Sequence, residues 1–104
     1  MTVIPVLLLT FAIAAPALSG VVRDPSGAVV AGASVVAKPA SGAEHLALTG
    51  PDGRFAVDMP VEGDVSVIVR AGGFAEKTLR VGNGDRGRDI EIVLEPAMLL
   101  EAVT

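Results

Sequence analysis

Cysteine, tryptophan and tyrosine are absent from the chain, and histidine occurs once, at His45. Without cysteine there is no disulfide framework, no thiolate metal site and no cysteine nucleophile. Without tryptophan and tyrosine the chain lacks the rings that binding surfaces favour. Basic residues are also scarce: 8 Lys and Arg against 12 Asp and Glu give a net charge of −4. Such a balance excludes nucleic acid as the expected partner, because affinity for phosphate backbones needs clustered cations. Finally, no window sustains apolar residues at i, i+3 and i+4, so a long amphipathic helix is not expected.

What is present is unevenly spread. The 104 residues are 51% apolar, yet 13 of the first 17 are apolar, and about 46% of the remainder, an ordinary share for a globular domain. Residues 3–15 (VIPVLLLTFAIAA) carry no charge, and Ala15-Pro16-Ala17 has the small-x-small form of a signal-peptidase site. The run is too short for a spanning helix, which needs about 20 apolar residues. The expectation is an export signal over 1–17, cleaved after Ala17, although Met1-Thr2 lacks the usual Lys or Arg. No membrane insertion of the mature domain is expected.

From Leu18 the apolar pattern has a period of two and is broken by turn clusters, the mark of a small all-β domain. Leu18, Gly20 and Val22 share one face of the first strand, and Asp24-Pro25-Ser26-Gly27 makes a turn. Val35 and Ala37 define the second strand. In 44–49, Leu46 and Leu48 lie on one face and His45, Ala47 and Thr49 on the other, with His45 placed outward. Gly50-Pro51-Asp52-Gly53 is the strongest turn signal, followed by Phe55, Val57 and Met59 on one face. Val65, Val67 and Val69, then Leu79 and Val81, then Ile90, Ile92 and Leu94 complete seven strands. The half-apolar alternate face at Ile68 predicts partial cover there. The expected architecture is a seven-stranded antiparallel β-sandwich, with Phe55 and Phe74 as the only large aromatics of its core.

Residues 18–35 (LSGVVRDPSGAVVAGASV), 49–55 (TGPDGRF), 69–74 (VRAGGF) and 92–96 (IVLEP) together resemble the carboxypeptidase regulatory-like domain. The resemblance implies a transthyretin-like sandwich over 18–96, of a class often grouped with carbohydrate-binding-like folds, followed by a tail or linker over 97–104. In that family the domain is usually an appendage. It follows the catalytic domain of some metallocarboxypeptidases, occurs in secreted multidomain proteins, and often sits between the signal peptide and the plug of TonB-dependent outer-membrane receptors. The tail AMLLEAVT is similar to the lead-in to the TonB-interacting segment of such receptors. The resemblance therefore implies a non-catalytic accessory domain without a cofactor, in the periplasm or at the outer membrane, or else secreted. Its implied partners are proteins, either neighbouring receptor domains or periplasmic components. On the receptor reading, 104 residues hold neither plug nor barrel, so the chain is a fragment or truncated product. A carbohydrate-binding module is the alternative, and a free-standing secreted adhesion or scaffold domain a third reading.

Candidate chemistry is sparse. Residues 82–87 (GNGDRG) spell G-x-G-x-x-G, but a dinucleotide site needs a helix next and an acidic residue about 20 positions on. An alternating strand follows instead. His45 with Ser41 and an aspartate could formally make a hydrolytic triad, yet Ser41 lies in a turn with no nucleophile elbow. A lone His without Cys makes a poor zinc set. Asp52, Asp64, Asp85 and Asp89 sit in or beside loops, but without the spaced D-x-D-x-D-G pattern of a calcium loop they read as turn residues. Sugar binding would have to rely on Asp, Glu, Arg and Asn83, since Phe55 and Phe74 are expected in the core. No catalytic, cofactor or metal residue is assigned, and the sheet edges are not identifiable.

Overall fold

The computed structural model describes residues 18–40, 42–58, 63–85 and 88–98. The signal-like segment, Ser41, Met59 and the tail from 99 onward lie outside them. Seven strands follow in order: β1 (Leu18–Arg23), β2 (Ser34–Pro39), β3 (His45–Leu48), β4 (Arg54–Val57), β5 (Val65–Arg70), β6 (Lys77–Val81) and β7 (Asp89–Val93). Among the described residues one 3-10 turn, Asn83–Asp85, precedes β7. The strands form a three-stranded sheet in the order β4-β1-β7 and a four-stranded sheet in the order β3-β2-β5-β6.

Alternation decides which side chains meet between the sheets. Val22, Val35, Val67, Val69, Ile92 and Leu94 are almost completely buried, and Phe55 retains 4% exposure. Phe55, the largest ring in this layer, needs a gap opposite it, and Gly20 on β1 provides one. A Cβ at Gly20 would come within 2.9 Å of the Phe55 ring and 2.1 Å of the Ile90 carbonyl oxygen. Gly53 ends the turn after β3 with φ +73°, and a Cβ there would lie 2.8 Å from both the Val22 carbonyl oxygen and Val29 Cβ. That turn is closed by Gly53 N–H donating to the Gly50 carbonyl at 2.9 Å, with the Asp52 carboxylate accepting from Arg54 N–H at 3.0 Å.

Thr49, which follows β3, is the one buried polar residue among those described. Its hydroxyl donates to the Val30 carbonyl at 2.7 Å and accepts from Ala33 N–H at 2.8 Å. Thr49 N–H also donates to the Ala33 carbonyl, and Gly32 N–H to the Thr49 carbonyl. These bonds tie the end of β3 to the start of β2 and fix the facing of β3.

Three expectations change. His45 does not face outward: it pairs with Ala37, and Ala47 pairs with Val35, both fully buried, so His45, Ala47 and Thr49 face the core. Leu46 and Leu48 consequently project to solvent at 68% and 65% exposure. Phe74 is not a buried plug; it lies half-buried in the β5–β6 connection, packed against the core edge and bridged to Pro96. Finally, the ladders are antiparallel except one, since β1 and β7 run parallel with Gly20 opposite Ile90. A strand arriving from the opposite sheet is not bound by hairpin geometry, so either direction was open to β7.

Candidate functional site

The outer face of the four-stranded sheet concentrates what the fold leaves unsatisfied. Pairing registers arrange its outward side chains in rows. Leu48, Ser34 and Arg70 form one row, Leu46, Val36, Ile68 and Thr78 the next, and Lys38, Ser66 and Arg80 a third. The middle row is apolar across three strands, with Val36 and Ile68 partly covered by their neighbours and Leu46 standing clear at the edge. Strand β3 is an edge of its sheet, and its short sequence His-Leu-Ala-Leu holds no Lys, Pro or acidic residue to discourage an added strand. The free edge and the exposed leucines therefore coincide.

Two ion pairs flank this face: Lys38 with Glu44 at 3.2 Å and Arg70 with Glu76 at 3.1 Å. Both are exposed and contribute little stability, on the order of 0–1 kcal/mol each. The third row opens into a cleft of about 390 Å³ lined by Lys38, Pro39, Ala40, Asp64, Ser66 and Arg80. Arg80 has no ion pair or side-chain hydrogen bond among the described residues, although Asp64 lines the same cleft.

Most residues singled out for chemistry have structural roles. Asp52 caps its turn, and the Asp85 carboxylate accepts from Gly82 N–H at 3.2 Å. Asp89 accepts from the Ser19 hydroxyl at 3.1 Å and from Arg54 at 3.2 Å, and the Arg54 hydrogen bond is the main cause holding its carboxyl below the ordinary value of 3.8. Asp24 is lowered likewise, chiefly by the Ser26 hydroxyl, with backbone N–H groups of the turn adding to it. Among the described residues no group of three or more His, Asp or Glu is placed to hold a metal ion. Ser41 lies outside the described residues, and His45, turned inward beside Ala37, has no described triad around it. The glycine-rich 82–87 stretch contains a 3-10 turn at Asn83–Asp85 and leads into strand β7, with no helix to hold a pyrophosphate. Phe55 is core and Phe74 packs on its margin, so neither offers a ring face to a sugar.

Sequence reasoning missed Leu46, Leu48 and the Lys38–Ser66–Arg80 row. The leucines carried no local signal, because the facing of β3 is set by the Thr49 hydroxyl's bonds to Val30 and Ala33, distant in sequence. The cationic row carried no local signal, since its members are separated by 28 and 14 residues.

Taken with the sandwich, this surface carries an exposed apolar row beside a cationic one, and no metal-ligating group occurs among the described residues. The chain belongs to the carboxypeptidase regulatory-like domain family, whose model matches residues 17–95. The family's domain is a non-catalytic β-sandwich. No curated protein matches the chain.

Proposed function

We propose that the chain is an exported accessory domain acting through protein contact, as the N-terminal extension of a TonB-dependent outer-membrane receptor. The observation that carries the contact role is the pair Leu46 and Leu48, held out to solvent beside a free strand edge. A contiguous exposed apolar patch is a mark of an interaction surface, and these leucines adjoin Val36 and Ile68. The partner is the neighbouring plug of the same receptor, which a short tail such as 97–104 would hold at high effective concentration. The uncharged 3–15 segment and the small-x-small site after it support export, with the domain resident in the periplasm.

The reading is tested first on the coding sequence beyond Thr104, where an in-frame plug and barrel are expected and their absence would falsify the receptor context. The second test titrates the chain with that plug. Leu46→Asp with Leu48→Asp should abolish binding while leaving the melting temperature almost unchanged, and undiminished binding by the double variant removes the surface from the proposal. A carbohydrate-binding role has less support, because the lining of the cleft includes no aromatic ring.

A further inference from the structure

We propose that the cleft over Ser66 binds a phosphate group, with Lys38 and Arg80 closing on it from either side and the Ser66 hydroxyl beneath. The three residues are cross-strand neighbours on one face: Lys38 pairs with Ser66, and Ser66 with Arg80. Adjacent strands lie about 4.8 Å apart, which puts the two cationic residues about 10 Å from each other, a span their long side chains can close from both sides. Each donor is available. Arg80 has no partner among the described residues, and Ser66 Oγ makes no hydrogen bond with a protein group there. Lys38 is held only by the exposed pair with Glu44, which an incoming dianion can displace.

Phosphate fits this set better than a carboxylate does. A phosphate ester offers three terminal acceptor oxygens to donors arriving from three strands where a carboxylate offers two, and its charge of about −1.5 to −2 gains more from Lys38 and Arg80, two cations against the one carboxylate of Asp64. The cleft of about 390 Å³ exceeds what a phosphate alone occupies and falls within the range of small-ligand sites. Free phosphate and the phosphate of a sugar ester share this chemistry, and the room beside Pro39 and Ala40 could take a sugar. The site does not depend on the receptor reading, because its ligand and its residues are separate from the leucine surface.

The test is an amide-shift titration of the full chain with inorganic phosphate at constant ionic strength, with glucose 6-phosphate and glucose as further arms. Saturating shifts at Lys38, Ser66 and Arg80 are expected, with Kd in the range of about 1 mM. Arg80→Gln should weaken binding roughly tenfold and Asp64→Asn should strengthen it a few-fold. Arg88→Gln, which removes the same charge from outside the cleft, should change nothing. A tighter glucose 6-phosphate site identifies a sugar ester as the ligand, and equal affinity identifies free phosphate. Shifts that stay linear, an Arg88→Gln effect as large as that of Arg80→Gln, or the same shifts with neutral glucose would overturn the site.

Discussion

The two outer faces of this sandwich are built on the same alternation, both carry ion pairs, and they differ in the apolar row that only one of them extends to its edge. On the three-stranded sheet the outward residues satisfy one another: Arg54 and Ser19 converge on Asp89, and Arg23 lies 3.7 Å from Glu91. On the four-stranded sheet the outward centre is Leu46, Val36 and Ile68, with a leucine pair at the open edge. A single exposed leucine is ordinary on a protein surface, whereas leucines contiguous with Val36 and Ile68 make an apolar patch. The inward sides of both sheets are alike, so what distinguishes the faces is the apolar row that crosses three strands of the four-stranded sheet.

The largest expected effect comes from the layer the faces share. Phe55→Ala should destabilise by about 3–5 kcal/mol, read as a denaturant midpoint, and Phe74→Ala by clearly less because its ring is only half-buried. Equal losses would contradict the different placement of the two rings. Thr49→Val should come next, at about 2 to 4 kcal/mol, since it leaves the Val30 carbonyl and Ala33 N–H buried without partners. Thr49→Ser should recover much of that loss; a Ser variant as unstable as the Val variant would show that the methyl group, and not the hydroxyl, is what β3 requires.

Smaller effects compare the faces directly. Leu46→Asp or Leu48→Asp should change stability by no more than about 0.5 kcal/mol, as expected of a surface position. A loss of several times that size would mean the leucines are covered in the free chain. The smallest effect belongs to the charged face and is a pH dependence. Asp89 and Asp24 titrate below their ordinary 3.8 when folded. A lowered folded value adds stability that is complete above the unfolded value and disappears as pH falls through the folded one. Melting temperature should therefore fall as the pH drops below about 4. Asp89→Asn should flatten part of that slope, whereas the two leucine variants should leave its shape in that range unchanged.

Much of the fold was legible because period-two alternation survives in nearly every strand. Val65, Val67 and Val69 or Leu18, Gly20 and Val22 admit one inward face only. Strand β3 was different, since both of its faces carry apolar residues and the bulkier pair looked like the core pair. Its facing is decided by Thr49, sixteen residues from one hydrogen-bond partner and nineteen from the other, so no local pattern contains it. Strand direction in β7 was hidden for the same reason: the Gly20–Ile90 pairing spans the domain. The candidate surface was least legible, because rows across a sheet join residues that the sequence keeps far apart.

The position of β1 also governs when the domain can form. The first strand of the sandwich is the middle strand of its sheet, held between β4 and β7, and β7 is the last strand made. A chain emerging from its N-terminus therefore carries β1 with one edge unpaired until the residues after position 89 arrive. Closing that loop late is slow compared with forming a hairpin. The three-stranded sheet is thus completed only by the finished chain, whereas the four-stranded sheet needs no residue after Val81.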